Sequence, residues 1–457
     1  MLRGLLLLVL TPLLVISVLG NVWLFQRGES TSQEASHLRQ RAVQAEQALN
    51  SSRGAEPATP LAIPVPAPTL APRGPGPGPV QVVLAQVQTL RGLQPTGSVP
   101  VQFLDEPALR QILVRRFERD YLPSERDADQ KLLVALGLLQ PDQDLVGIDR
   151  DLLDDQVLGL YSADDKTLYV RGDGLQIGPA EETTIAAAYT HALQDQAYDL
   201  ARIAPLHTDN NDRAVAIQAL IEGDAMLAQS LWARTYLSAV QQRQLAPSDD
   251  AFDRLQQAPA VVRTNTLFPY IDGLGFVAQL YRKGGFAGVD AAFRNLPVST
   301  AQIMHPETYL AGQQPVPVTL PDLAGRLGQP WRRLDSNVLG ELGVRNLLAQ
   351  YGESGAAQTA AAGWRGDRWL LLDHEDRQAV VLRTLWATDA QASRFFLVLG
   401  DGLKVRFPEA RADEQSAARQ ALTATSAATD LRRAGRQVDL VISFDRASAD
   451  AVAAASR

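Results

Sequence analysis

The sequence predicts an α+β protein that is mainly helical, with small β elements and an α+β region at its C-terminal end. Apolar residues recur at helical spacing through much of the chain. For example, Leu109, Ile112, Leu113 and Phe117 fall on one face of a helix. Strand-like patterns are short and lie at 159–170 and near the C-terminus. Such segregation of helices and strands favours the α+β class.

Length and composition limit the classes of protein to which the chain can belong. A chain of 457 residues can form two or three domains with a substantial core. The absence of Cys excludes disulfides, thiolate metal sites and Cys nucleophiles. The formal net charge of −8, without a basic stripe, argues against nucleic acid as a partner.

The N-terminal segment predicts a membrane anchor over residues 1–27. The stretch 4–25 is almost entirely apolar, and as a helix it would span roughly 33 Å, about one bilayer core. We therefore expect a single-pass protein of the cell membrane, with the membrane as a partner and its body outside the cytoplasm. A cleaved signal peptide ending near Gly20 is the alternative.

The remaining chain divides into three predicted segments. Residues 28–79 combine a short juxtamembrane helix with a Pro-rich linker, which cannot bury a core. Residues 80–314 form a helical domain, and a Pro-rich boundary near 315–321 separates it from a C-terminal α+β region at 315–457. Strands of that region are predicted at 368–373, 379–386 and 438–444.

One predicted helix carries a polar face within a mostly small and apolar sequence. It begins with Pro179 in the first turn, followed by the acidic residue Glu181, which complements the helix dipole. Ala187, His191 and Asp195 follow at intervals of four residues and therefore share a face.

A second predicted helix carries a carboxylate inside its apolar pattern. Asn210 can cap this helix, which runs to about Tyr236 and contains Glu222 next to Gly223. Gly in a helix interior costs about 1 kcal/mol relative to Ala. We expect Gly223 to be present because another helix approaches closely.

Several stretches resemble a family of bacterial and archaeal membrane-associated metallopeptidases of the zincin type, whose members read H-E-x-x-H-A-L-Q-D-Q followed later by E-G-D-A. This chain has HALQDQ at 191–196 and EGDA at 222–225, within a resemblance that spans about residues 86–396. Further matching stretches lie at 159–170, 299–312 and 360–369.

The resemblance implies a zincin-like helical core and also a loss of catalysis. In the H-E-x-x-H motif the two His bind zinc and the Glu is the general base. His191 is the second His of the motif, but Ala187 stands at the first His position and Ala188 at the base position. Glu222 matches the third ligand. Intact members bind zinc, whereas no cofactor is expected here, because His191 and Glu222 are the two remaining ligand positions.

The resemblance also implies roles around this vestigial site. Asp195 and Asp224 are expected near the site as supporting residues. Tyr161 and Tyr169 are expected beside the cleft, because the sheet edge before the motif helix commonly borders it in zincins. His305 could also fold into the region.

Three functions remain open. The first is a membrane-anchored pseudopeptidase, not an enzyme, that binds a peptide or a protein partner in the vestigial cleft. The second is an active metallohydrolase whose ligands are rearranged, with His207, Asp224 or His305 replacing the missing His. The third is a structural protein of the cell envelope that binds no ligand.

Overall fold

The structure, a computed structural model, describes most of the chain after the predicted linker. The described residues are 78–154, 157–205, 208–245, 254–352 and 354–457.

The membrane predictions are corrected by the structure. The expected anchor at residues 1–27 lies outside the described residues, as does nearly all of the predicted segment 28–79. Within the part of the chain that the structure describes, no helix is both long enough and apolar enough to cross a bilayer. This finding contradicts the predicted single-pass localisation and the membrane as a partner, so neither prediction is retained.

The predicted fold class is confirmed: the protein is α+β and mainly helical, with a large antiparallel sheet near the C-terminus. The helices of the described residues are α1 (Pro79–Arg91), α2 (Glu106–Asp120), α3 (Pro123–Ala135), α4 (Leu145–Asp154), α5 (Pro179–Tyr198), α6 (Leu200–Ile203), α7 (Asn211–Tyr236), α8 (Ala239–Gln244), α9 (Ala260–Arg294), α10 (Thr300–Met304), α11 (Pro306–Leu310), α12 (Leu323–Leu327), α13 (Gly340–Ala349), α14 (Ser354–Ala361), α15 (Asp389–Arg406) and α16 (Arg446–Ala455). The strands are β1 (Val101–Leu104), β2 (Gly159–Ser162), β3 (Thr167–Arg171), β4 (Arg332–Asn337), β5 (Trp364–His374), β6 (Arg377–Trp386), β7 (Arg411–Gln415), β8 (Arg419–Thr423), β9 (Ala428–Ala434) and β10 (Gln437–Ser443).

Local sequence signals explain where the two central helices begin. At the start of α5, the Gly178 N–H donates to the Glu181 carboxylate at 2.9 Å, which satisfies one of the N–H groups free at a helix start. At the start of α7, the Asn210 side chain accepts from the Arg213 N–H at 3.0 Å.

Helix α9 changes direction at two glycines. Gly284 and Gly285 have non-helical backbone angles, and Gly285 has a φ of +60°, which favours glycine. The segment 297–312 contains the short helices α10 and α11. Ser299 caps α10 by accepting from the Gln302 N–H.

Two sheets frame the helices. The smaller sheet has the order β1-β3-β2, in which β1 is parallel and β2 antiparallel to β3. The larger sheet is antiparallel, with the order β4-β5-β6-β10-β9-β8-β7.

Both faces of the large sheet are covered. On β5, Trp369 and Leu371 point into a core shared with α2, α3 and α15, whereas Leu370 and Leu372 point to the opposite face, where α12 and α16 pack. This alternation follows from the two-residue period of a strand. The predicted boundary at residue 314 stays a prediction.

Helices α7 and α9 come into backbone contact at two glycines. A methyl group on Gly223 of α7 would lie 2.3 Å from the carbonyl oxygen of Gly273 on α9. In the reverse direction, a methyl group on Gly273 would lie 2.2 Å from the carbonyl oxygen of Ala219. The close helix approach inferred from Gly223 is therefore present.

We predict that Gly223→Ala lowers the free energy of unfolding by about 2–3 kcal/mol, because the added methyl must push two helix backbones apart. Gly275→Ala is the matched control on α9, where an added methyl meets no atom within 4 Å. The control should raise stability by about 0.5–1 kcal/mol through helix propensity. Denaturant unfolding measures both variants, and equal effects would contradict the packing argument.

Candidate functional site

Helices α5 and α7 bring His191 and Glu222 together. The Nε2 atom of His191 lies 3.4 Å from the Oε2 atom of Glu222. The side chains are 12% and 3% exposed, respectively, so the pair is almost withdrawn from solvent. The two retained ligand positions implied by the resemblance thus face each other across the interface between the two helices.

Gln194 fixes which nitrogen of His191 carries a proton. Its amide nitrogen donates to the carbonyl of Ile221 at 3.0 Å and to Asp224 at 2.8 Å. Its amide oxygen therefore faces His191 Nδ1, at 2.9 Å, and must accept a hydrogen bond from an N–H at that nitrogen. In a neutral imidazole, Nε2 would then present a lone pair to the Glu222 carboxylate, which also has only lone pairs. A proton on Nε2 turns this contact into an attraction.

The charges around the ring favour that proton. Burial disfavours the imidazolium, but the neighbouring Glu222 carboxylate, with help from Gln194 and Asp224, outweighs this effect and raises the pKa of His191. In the described part of the chain, Glu222 Oε2 has no hydrogen-bond partner of good geometry. His191 is thus the cation to which this buried oxygen is directed.

Asp224 connects this pair to a buried arginine. Arg91, at the end of α1, is fully buried and lies 2.8 Å from Asp224 and 2.7 Å from Asp290 of α9. Its guanidinium also lies 4.6 Å from the centre of the Phe286 ring. Burial opposes the charge, but the two carboxylates outweigh it and raise the pKa of Arg91. The residue therefore stays cationic and links α1, α7 and α9.

The Asp195 carboxylate accepts hydrogen bonds from three neighbouring groups. It accepts from Tyr161 at 2.7 Å, from Lys166 at 2.6 Å and from the Leu200 N–H at 3.2 Å. Burial, followed by the bond to Asp195, raises the pKa of Tyr161 well above its ordinary value. Asp195 therefore ties the β2–β3 hairpin to the end of α5.

Tyr169 lies apart from Tyr161 in its contacts. It is half-buried and donates a hydrogen bond to Asp165 at 2.6 Å. This hydrogen bond is the main reason that the pKa of Tyr169 is raised to about 12. The whole of β2, including Tyr161, is buried.

The two positions at which the resemblance implies a His and a Glu are packed in the core. Ala187 and Ala188 have no exposed surface and belong to one apolar cluster with Tyr161, Leu168 and Val170. The two methyl groups therefore lie in close apolar packing.

A zinc ion does not fit the residues that are present. A catalytic zinc site needs three protein ligands and a water, and His191 with Glu222 supplies two. Among the described residues, no group of three or more His, Asp or Glu side chains is arranged to hold a metal. Asp195 and Asp224 bond to other side chains, and His207 lies outside the described residues.

His305 pairs with Glu341 of α13. Its Nε2 lies 2.8 Å from Glu341, and the side chains are 33% and 5% exposed. This hydrogen bond, acting against partial burial, raises the pKa of His305. The structure therefore places His305 in a separate pair and gives it no contact with His191.

Three cavities lie within the part of the chain that the structure describes, and neither His191 nor Glu222 lines any of them. Two grooves of about 650 and 670 Å³ border α2 and α4 and share Arg254. A smaller cavity of about 110 Å³ lies beside His305 and Glu341.

Sequence reasoning missed three residues of the network. Gln194 stands three residues after His191 on the same helix, a spacing that could have indicated contact. Arg91 and Asp290 carried no comparable signal, because their contacts join distant parts of the chain.

Comparison with known proteins adds one match. A family described as a domain of unknown function (DUF8575) matches residues 328–453, which run from β4 into α16. No curated protein and no solved structure matches the chain.

We predict that Glu222→Gln lowers the pKa of His191, because the amide cannot attract the imidazolium. Since the folded pKa is raised above about 6.5, the stabilisation from this pair is fully present below about pH 6.5. It is lost as the pH rises through the folded value. NMR titration of the His side chains measures the pKa. Unfolding at several pH values should show the wild-type advantage shrinking in that window.

His305 is the internal control, because its pKa depends mainly on Glu341. An unchanged His191 titration in Glu222→Gln would show that the two side chains are not coupled.

Proposed function

We propose that the helical body is a catalytically inactive relative of the zincin-type metallopeptidases, a pseudopeptidase that binds a peptide or a protein partner without cleaving it. In this proposal the His191–Glu222 ion pair replaces the metal-bound arrangement of active relatives. The family relationship is part of the proposal and depends on the motifs HALQDQ and EGDA.

One observation carries the proposal. His191 Nε2, the atom that would bind a metal, points at Glu222 Oε2 with its other ring nitrogen held by Gln194. Such an outer hydrogen bond is typical of metal-binding His. In this proposal the orientation of the two ligands persists, while Ala187 and Ala188 lack the groups that would complete the site and activate water.

The rearranged metallohydrolase receives less support. Its candidate ligands already have strong partners, namely Arg91 and Gln194 for Asp224, and Glu341 for His305. A metal would have to displace the buried Arg91–Asp224 pair or the partly exposed His305–Glu341 pair, and breaking a buried pair by removing a partner costs about 3–5 kcal/mol.

In this proposal a peptide or protein partner binds at the few groups of the site that remain accessible to solvent. Tyr161 and β2 are buried, so a partner would contact the groups that keep some exposure, His191 and Tyr169. A ligand-free structural role is the competing outcome.

Restoring the missing groups tests the loss of the metal site. We expect the full-length wild type to bind no stoichiometric zinc and Ala187→His/Ala188→Glu to bind about one zinc per chain, with three protein ligands and a water. Because both Ala are fully buried, the variant should also lose about 1–3 kcal/mol of stability from overpacking. Metal analysis after dialysis measures the zinc content.

Ala186→His/Ala188→Glu is the matched control. Ala186 is equally buried, but a His there points about 100° away around the helix, so this variant should gain no zinc. Stoichiometric zinc in the wild type that is lost in His191→Ala would overturn the proposal in favour of the rearranged site.

A labelled mixture of casein peptides tests the binding half with the full-length chain. Fluorescence anisotropy should report binding, and electrophoresis should show the peptides intact. Cleavage would contradict the inactive state, and the absence of both binding and cleavage would favour the ligand-free structural role.

A further inference from the structure

The small cavity beside His305 is formed by segments that are distant in sequence. It measures about 110 Å³ and lies between α10–α11, the start of α13 and the turn that enters β5. Drug-sized ligands need about 300–1,000 Å³. The cavity therefore suits a single small chemical group.

His305 presents one ring nitrogen at this cavity. Its Nε2 donates a hydrogen bond to the buried Glu341 carboxylate at 2.8 Å. The Nδ1 atom has Glu307 at 3.9 Å, beyond hydrogen-bond distance, and the Glu307 side chain is 75% exposed. Nδ1 is therefore the ring nitrogen without a hydrogen-bond partner among the described residues, and it donates a hydrogen bond when the ring is protonated.

Arg365 supplies a second cation to the lining of the cavity. Its side chain donates to the carbonyl of Gln314 at 2.9 Å, and within the described part of the chain it forms no ion pair. A planar guanidinium with free N–H groups binds carboxylates through two parallel hydrogen bonds.

Two other polar side chains of the lining are already committed. Gln302 accepts from the Val298 N–H and donates to the Gln313 carbonyl, both at 2.8 Å. Thr308 donates to the His305 carbonyl at 2.8 Å, which closes the turn between α10 and α11. These bonds hold the walls in place. Glu341 and the more distant Glu307 both face His305, whereas Arg365 has no carboxylate partner among the described residues.

We propose that this cavity binds the carboxylate group of a small ligand, with Arg365 as its paired cation and His305 Nδ1 as a second donor. Such a group can belong to a free small carboxylic acid or to the C-terminal residue of a peptide, and the volume admits either. The proposal is independent of the His191–Glu222 site and of the pseudopeptidase proposal.

Calorimetric titration of the full-length chain tests the proposal with four probes: acetate, L-alanine, the dipeptide Ala-Ala and the C-terminal amide of that dipeptide. We expect at least one carboxylate probe to bind with a Kd of about 1 mM or lower. The amide should not bind. Stronger binding of the dipeptide indicates a peptide terminus, and stronger binding of acetate or L-alanine indicates a free acid.

Substitutions locate the binding. Arg365→Gln should weaken the best probe by about tenfold or more, and Arg365→Lys by less, because lysine keeps the charge but not the paired geometry. Arg368→Gln is the matched control on β5, since Arg368 donates to the Asp209 carbonyl and does not line the cavity. It should bind like the wild type.

Two results would overturn the inference. One is the absence of binding for all three carboxylate probes to the folded wild type, which needs no variant. The other is unchanged affinity in Arg365→Gln. If Arg365→Gln does not fold, as judged by circular dichroism, the comparison of Arg365→Lys with Arg368→Gln decides.

Discussion

The arrangement of the helical core depends on three consecutive residues of α7, each facing a different neighbour. Gly223 allows the backbone of α9 to come within contact distance, because no side chain intervenes. Glu222 meets His191 of α5, and Asp224 meets Arg91 of α1. Since successive helical residues point about 100° apart, this segment holds three helices at once. Any substitution that shifts α7 relative to α9 also changes the distance between His191 and Glu222.

Arg91 keeps this arrangement electrostatically possible. A buried carboxylate such as Asp224 is costly without a partner, and burial indeed raises its pKa, although Arg91 and Gln194 oppose that effect. Arg91 also reaches Asp290, which follows the change of direction at Gly285 in α9. The break in α9 thus returns a second carboxylate to the same guanidinium, so that the cation has a neighbour from each of the two long helices.

The sequence allowed the prediction of local features but not of most distant pairings. Regular apolar spacing and caps were sufficient for α5 and α7, and an interior glycine was sufficient for the helix contact at Gly223. The edge strand β7 carried no signal, because its exposed residues RADEQ do not alternate between apolar and polar. His305 was expected near the vestigial site, but its partner is Glu341, from a different helix. Periodicity reports which face of an element is buried and not which element covers it.

The two His–Glu pairs differ in access, and this difference decides what each can do. His191 and Glu222 are 12% and 3% exposed, and a third residue, Gln194, holds the second ring nitrogen. That pair holds α5 against α7, and little of it is accessible to solvent. His305 is 33% exposed, and its second nitrogen has no close protein acceptor. The same chemistry therefore acts as a structural ion pair at one place and offers a donor at the other. We therefore expect a small carboxylate at the His305–Glu341 pair, independently of any partner that contacts His191.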